Sequence, residues 1–186
     1  LEDLKVGLQT FVPSAAQLPG RMNIFEFDRF RVLIDYAHNP PSLEAIGRFV
    51  GALGVRKSVA ILAGTGDRRD EDLREYGRVA AESFDEVIVW QDEHYARGRD
   101  SREVKRLILE GAREIARERL VKEIQDEDEA VDQAMQNAQA NSIICIFTGR
   151  IEAMTTKIKA LQEEQLDLRI TKEDIPNITY ADDASI

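Results

Sequence analysis

The clearest structural signal in this 186-residue chain is RVLIDYAHNPPSLEAIGRFV, residues 31–50. Residues 31–37 are rich in aliphatic side chains, which is typical of a buried strand. Residues 42–53 then carry apolar side chains at helical spacing on one face: Leu43, Ile46, Phe49 and Val50. A strand, a polar turn and a helix together form the first half of a β-α-β unit, so this stretch predicts an α/β fold.

The same alternation continues along the chain. Apolar runs predict further strands at residues 57–63, 86–90, 120–124 and 142–148. Helical periodicity predicts helices at residues 71–84, 101–118, 126–140 and 151–164. Continuous apolar strands separated by helices indicate a parallel sheet that is buried on both faces. The predicted fold is therefore a doubly wound, Rossmann-like α/β domain.

Residues 24–28 (IFEFD) are predicted to be the one antiparallel strand. Only two residues separate them from the strand at residue 31, and a connection that short permits only a hairpin. They therefore lie at an edge of the sheet, which becomes a mostly parallel sheet of about six strands.

The composition restricts the class of protein. Hydrophobic residues make up 43% and charged residues 32% of the chain, which are values of a globular protein. No apolar run reaches the roughly 20 residues that span a bilayer, and the single cysteine, Cys145, is expected in the core. A formal net charge of −10 disfavours nucleic-acid binding, because phosphates repel an acidic surface. Since no secretory leader opens the chain, a cytoplasmic location is expected.

Three parts are predicted along the chain. Residues 1–20, with two prolines in their second half, are expected to be the end of a preceding central domain and a linker. Residues 21–161 form the α/β domain, and residues 162–186 form an acidic C-terminal extension. The chain starts with Leu1 rather than methionine, which is consistent with a piece of a longer protein.

Polar segments follow four of the predicted parallel strands. They are residues 35–40 (DYAHNP), 64–70 (GTGDRRD), 91–99 (QDEHYARGR) and 148–150 (TGR). Ligands of open α/β sheets bind beyond the carboxyl ends of the strands, so this rim is the candidate site.

Some of these segments also have a purely structural interpretation. Asn39 and Pro40 are typical of a helix start, where the asparagine side chain caps the first turn. Residues 67–70 are equally typical of a solvated helix start, and residues 97–99 of an ordinary surface loop. Capping requires neither Asp35 nor His38, so these two residues favour a functional rim.

The order of these segments resembles a known family. The string PGR at residues 19–21, DYAHNP at residues 35–40 and GTGDR at residues 64–68 follow one another as in the C-terminal domain of the Mur ligases and folylpolyglutamate synthases. Within that superfamily, the sequence is similar to the Mur-like portion of the cyanophycin synthetases at residues 10–23, 66–72 and 97–99.

The resemblance implies ATP-dependent formation of an amide bond. A carboxylate is phosphorylated by ATP, an amine attacks the acyl phosphate, and ADP and phosphate leave. In cyanophycin synthetases, the Mur-like half adds arginine to the aspartate side chains of a poly-aspartate backbone. The family also implies a central ATPase domain that carries the phosphate-binding loop and the Mg²⁺ ligands. No Gly-x-x-x-x-Gly-Lys-[Ser/Thr] loop occurs in this chain, so the chain alone is expected to be inactive.

The resemblance implies roles for individual residues. Arg21 matches the linker arginine that reaches the ATP phosphates, and it is the one predicted catalytic residue. Asp35 matches an acid that accepts hydrogen bonds from the ribose hydroxyls. His38 and Asn39 match positions at the nucleotide pocket. Arg97 is expected to grip the α-carboxylate of the incoming amino acid. The full substrate-binding set is predicted as Gly64, Asp67, Arg68, Arg97 and Arg99, and no metal ligand is predicted in this chain.

The predicted partners follow from this interpretation. They are the enzyme's own central domain, ATP, arginine and a poly-aspartate or cyanophycin chain, with neither nucleic acid nor membrane. The acids Asp92 and Glu93 fit a cationic arginine as the incoming amino acid. Two alternatives stay open: another Mur ligase or folylpolyglutamate synthase relative, and a non-catalytic doubly wound regulatory domain. The sequence does not fix the oligomeric state, and a homo-oligomer is compatible with it.

Overall fold

A computed structural model describes residues 18–115 and 120–173 of the chain, with side chains described as far as residue 166. The strands are β1 Asn23–Glu26, β2 Phe30–Asp35, β3 Lys57–Leu62, β4 Glu86–Val89, β5 Leu120–Glu123 and β6 Ser142–Phe147. The helices are α1 Pro40–Ala52, α2 Asp70–Ser83, α3 Glu93–Ala96, α4 Ser101–Ile115, α5 Glu127–Gln136 and α6 Ile151–Glu173.

The six strands form one sheet in the order β1-β2-β6-β3-β4-β5. Only β1 runs antiparallel to its neighbour, and the other pairs are parallel. This confirms the predicted doubly wound sheet with an antiparallel edge strand. All six residues of β6 are buried, because this strand lies between β2 and β3.

Helices cover both faces of the sheet. On one face, Leu33 and Ala60 of the strands pack with buried side chains of α1, α2 and α4. On the other face, Val32 and Ile144 pack with buried side chains of α5 and α6. Cys145 is fully buried in the first of these clusters, which confirms the expected core position.

Two glycines allow α2 and α4 to touch along their backbones. A Cβ atom on Gly77 of α2 would lie 2.0 Å from the carbonyl oxygen of Ile108. A Cβ atom on Gly111 of α4 would lie 1.8 Å from the carbonyl oxygen of Arg74. The two helices therefore approach closer than any side chain at either position would permit.

The structure differs from the predicted elements in several places; helix α5, for example, ends at Gln136 rather than at residue 140. The short helix α3 was not predicted, because its four residues lie in a polar loop. Helix α6 continues to Glu173 rather than ending at residue 164. Most of residues 1–20, predicted to be the end of a preceding domain and a linker, lies outside the described residues, which begin at Leu18.

None of the helices in the described part of the chain combines the length and apolarity that crossing a membrane requires.

Glu86 lies at the start of β4, far from the polar rim, and it makes the stability of the fold depend on pH. Its nearly buried carboxylate lies 2.6 Å from Nζ of Lys57 and 2.6 Å from Nζ of Lys122. Burial opposes ionisation of Glu86, but the hydrogen bonds from Lys122 and Lys57 outweigh burial and lower its pKa. The stability that this group contributes is therefore present above a pH of about 4.5 and is lost as the pH falls through the lowered pKa.

We expect Glu86→Gln to lower the free energy of unfolding at pH 7 by about 2 kcal/mol, because a charge-assisted hydrogen-bond set is lost. The variant should also lose less stability than the wild type as the pH falls below 4.5. Urea unfolding at several pH values measures both effects. Glu44→Gln, which breaks the exposed pair of Glu44 with Arg48, is the control and should change little. Equal effects of the two substitutions would contradict the buried ion pairs.

Candidate functional site

The four polar segments meet at the carboxyl ends of the parallel strands, as predicted. Three cavities open among them. The first cavity, of 450 Å³, lies between the loops after β2 and β3 and is lined by His38, Asn39, Pro40, Pro41, Gly64, Thr65, Arg68, Asp72, Leu73 and Tyr76. The central cavity, of 180 Å³, is lined by Tyr36, Ala37, His38, Ala63, Thr65, His94, Tyr95, Arg97, Phe147, Thr148, Gly149 and Arg150. The linker cavity, of 540 Å³, is lined by Leu18, Arg21, Met22, Asp35, Tyr36, Ala37, His38, Ser42, Ala45 and Ile46.

The turn that carries Arg21 is fastened by the side chain of Asn23. Asn23 is 1% exposed; its Oδ1 accepts from the backbone N–H of Gly20 at 2.7 Å, and its Nδ2 donates to the carbonyl oxygens of Leu18 and Arg21 at 3.0 and 3.2 Å. The exposed guanidinium of Arg21 lies over the ring of Tyr36, with Cζ 5.3 Å from the ring centroid. Arg21 is thus presented to solvent from a fixed backbone.

Asp35 has a structural task that the sequence did not predict. It is buried, and its two carboxylate oxygens accept from the backbone N–H groups of Met22 and Ala37, at 2.8 and 2.7 Å. The carboxylate therefore ties the Arg21 turn to the end of β2. Asp35 also lines the linker cavity, and its contact with a ribose stays a prediction.

His38 lines all three cavities. Its Nδ1 lies 3.1 Å from the carbonyl oxygen of Tyr36, and its ring meets the ring of Tyr36 edge to face. Asn39 caps α1, because its Oδ1 accepts from the backbone N–H of Ser42 at 3.0 Å. The capping interpretation is thus confirmed for Asn39, while the ring of His38 takes no part in the cap and faces the cavities.

The glycine turn after β3 is joined to the loop after β4. The side chain of Gln91 accepts from the N–H of Gly64 and donates to its carbonyl oxygen, both at 3.0 Å. The N–H of Gly66 donates to the carbonyl oxygen of Tyr95 at 2.9 Å. A Cβ atom on Gly66 would lie 1.9 Å from the carbonyl oxygen of Ala96. Gly64 and Gly66 therefore hold two loops together, and the N–H of Gly64 is already occupied.

Of the arginines in the loop after β4, Arg97 faces the central cavity. Arg97 adopts a left-handed backbone conformation at φ 50°, and its Nη1 pairs with Oδ2 of Asp67. Arg99 is instead enclosed by an ion-pair network, since it donates to Glu103, Asp70 and the carbonyl oxygen of Arg68. The hydrogen bonds that Arg99 donates to Glu103 and Asp70 raise the pKa of Arg99. Arg99 thus supports the loop, while Arg97 remains half exposed.

The two predicted partners of a cationic substrate have other partners in the structure. Oδ1 of Asp92 accepts from the backbone N–H of Tyr95 at 2.8 Å, which caps α3. Oε1 of Glu93 accepts from the hydroxyl of Ser101 at 2.7 Å. Neither carboxylate lines the central cavity.

Several site residues escaped the sequence analysis. Tyr95 links two loops, because its hydroxyl accepts from the N–H of Gly149 and lies 3.5 Å from Oγ1 of Thr148. Burial raises the pKa of Tyr95. The hydrogen-bond partners of such residues are brought close only by the fold, so no local sequence pattern identifies them. Three examples are Asn23, Gln91 and Tyr95.

The described residues do not fit a resident metal ion. Within residues 18–115 and 120–166, the structure brings no three histidine, cysteine, aspartate or glutamate side chains together as a metal site would need.

Comparison with known proteins identifies the family. The sequence profile described as the glutamate ligase domain of the Mur ligases matches residues 20–150. The chain belongs to the Mur ligase family. A cyanophycin synthetase from Trichormus variabilis is 35% identical over 182 residues, which cover 98% of this chain and 20% of that protein. The chain thus spans about a fifth of this Mur-type relative.

Solved Mur-type ligases share the fold. A UDP-N-acetylmuramoyl-L-alanyl-D-glutamate–2,6-diaminopimelate ligase superimposes with a TM-score of 0.66 at 20% identity, over 87% of this chain and 34% of that one. A bifunctional folylpolyglutamate and dihydrofolate synthase from Yersinia pestis, complexed with AMPPNP and a Mn ion, gives a TM-score of 0.55 at 21% identity. The match covers 79% of this chain and 32% of the synthase. These structures share the fold of this chain, and the profile match identifies residues 20–150 as a glutamate ligase domain of the Mur ligases.

Proposed function

We propose that this chain is the C-terminal domain of a cytoplasmic, ATP-dependent amide ligase that joins arginine to aspartate side chains of poly-aspartate. The observation that carries the proposal is the hydrogen-bonded turn at Leu18–Asn23. This turn presents the exposed Arg21 to the linker cavity, which His38 also lines. The cyanophycin synthetase relative, similar over 98% of the chain, supports the substrate pair. The enzyme's own central domain is the proposed partner, and the oligomeric state stays open.

The residues present fit a nucleotide. When bound, ATP supplies the phosphoryl group that activates a carboxylate. Arg21 would neutralise phosphate oxygens, because a guanidinium keeps its charge and its forked donors match them. His38 lies where the three cavities meet and would flank the base or the sugar.

Binding of the incoming amino acid is assigned to the central cavity. Arg97 lines this cavity, and the hydrogen bond that it makes with the described residues runs from Nη1 to Asp67, which leaves Nε and Nη2 for a carboxylate. Asp67 orients Arg97, and Gly64 and Arg68 shape the neighbouring first cavity. Mg²⁺ ligands are proposed for the central domain, as the resemblance to the Mur ligases implies.

The test is ATP-dependent amide formation by the full-length protein, followed by mass spectrometry of the product. In that protein, we expect Arg97→Ala to raise KM for arginine roughly 10- to 100-fold, because a charge-assisted carboxylate contact is lost. KM for ATP should stay unchanged. Arg102→Ala is the control, since Arg102 is highly exposed and lies outside the three cavities. Unchanged arginine kinetics in Arg97→Ala would show that Arg97 is only a surface residue.

A further inference from the structure

The segment after β6 has no role in the function proposed so far. Its last residue, Arg150, lines the central cavity together with Arg97. Arg150 follows Gly149 directly, and its backbone N–H donates to Oγ1 of Thr148 at 2.9 Å. Since Tyr95 also binds the N–H of Gly149, the backbone that carries Arg150 is fixed from two sides.

Two carboxylates hold one nitrogen of the Arg150 guanidinium. Its Nη1 donates to Oε2 of Glu127 at 3.2 Å and to Oδ2 of Asp128 at 2.9 Å. Its Nε and Nη2 make no hydrogen bond with the part of the chain that the structure describes. These two nitrogens form the edge of a guanidinium that pairs with a carboxylate through two parallel hydrogen bonds.

Glu127 is an unusual partner for a surface arginine. Its side chain is completely buried, and its Oε1 has no hydrogen-bond partner among the described residues. Burial raises the pKa of Glu127. A buried carboxylate with one unpaired oxygen is a poor source of stability, because its desolvation is only partly offset. The hydrogen bond that its Oε2 accepts from Nη1 of Arg150 is the contact through which Glu127 can orient that guanidinium.

We propose that Arg150 is a second carboxylate-binding arginine of the central cavity and that Glu127 is its positioning residue. This inference rests on the proposed function and extends it. Two substrates of that reaction carry carboxylates, namely the incoming amino acid and the poly-aspartate chain. Either one presents the planar, two-oxygen group that matches the open edge of Arg150.

The test uses the full-length protein and measures KM for L-arginine and for a poly-aspartate peptide separately. Arg150→Ala should raise one of the two KM values roughly 10- to 100-fold, and that substrate is the source of the carboxylate. Arg150→Lys should recover only part of the loss, because an ammonium lacks the fork. Glu127→Gln should raise the same KM by several-fold, since the guanidinium loses its orientation.

The control is Lys157→Met. Lys157 also pairs with Asp128, at 3.2 Å, but it does not line the central cavity. Both KM values should therefore stay at the wild-type level. A double variant, Arg150→Ala with Glu127→Gln, should be no worse than Arg150→Ala alone, because Glu127 acts through Arg150. An additional loss in the double variant would refute the positioning role.

Calorimetric binding of L-arginine and of the peptide separates this inference from the proposed function. Binding can be measured without turnover, so it tests Arg150 even if the wild-type protein forms no amide. A wild-type protein that forms no amide would reject only the proposed function. Wild-type binding that Arg150→Ala weakens supports the carboxylate site. Unchanged binding and unchanged KM values in Arg150→Ala would overturn it, as would the absence of wild-type binding to both probes.

Discussion

Replacing Arg21 by alanine is expected to lower kcat of the full-length enzyme roughly 30- to 1000-fold. The reason is that removing one fixed donor to a transferring phosphoryl group costs on the order of 2–4 kcal/mol in the transition state. Asn23 and Asp35 fix the backbone around Arg21, so less of the chain has to be ordered at the moment of reaction. Initial rates at saturating ATP and acceptor measure the effect.

Arg29→Ala serves as the control for this experiment. Arg29 is also exposed, but it lies between β1 and β2, at the opposite end of β2 from the rim. Its removal should leave kcat unchanged. If Arg21→Ala were as active as Arg29→Ala, Arg21 would be a structural part of the turn and not a phosphate ligand.

The second large effect is expected on stability. Gly111→Ala should lower the free energy of unfolding by about 3 kcal/mol, because the added Cβ would lie 1.8 Å from the carbonyl oxygen of Arg74. The clash is with backbone, so a change of rotamer cannot relieve it and α2 and α4 must separate. Urea unfolding of this chain, followed by circular dichroism, gives the difference.

The same substitution at Gly51 is the matched control. Gly51 lies in α1, and a Cβ there meets no atom within 4 Å. Alanine lowers the conformational freedom of the unfolded chain, so Gly51→Ala should stabilise the protein by up to about 1 kcal/mol. Similar unfolding midpoints for the two variants would contradict the close packing of α2 on α4.

The fold was largely predictable because its strands are local apolar runs. The stretch SIICIF of β6 is apolar throughout apart from its first residue, and its complete burial follows from that composition. Its place between β2 and β3 was not predicted, since strand order depends on how the connections cross the sheet and not on any one segment. Helix α3 was missed because a single turn capped by Asp92 leaves no periodic pattern.

The candidate site was predictable as a location but not as a set of contacts. Strand ends with glycines and charged residues pointed to the rim, because parallel strands end on one side of a sheet. The partners of these residues are distant in the chain: Met22 for Asp35, Gly64 for Gln91, and Gly149 for Tyr95. Side chains such as Asp92 and Arg99 were therefore assigned to a substrate, whereas the structure engages them within the protein.

The turn that carries Arg21 and the end of β2 form one hydrogen-bonded unit. The carbonyl oxygen of Gly20 accepts from the N–H of Tyr36 at 3.0 Å, and Asp35 binds the N–H of Met22. The turn is thus attached to the end of β2 by hydrogen bonds on either side of Arg21. A rigid-body rotation of the sheet therefore carries the turn at Leu18–Met22 with it. Arg21 and His38 would then move together, so the arginine would keep its position relative to the cavity that both residues line.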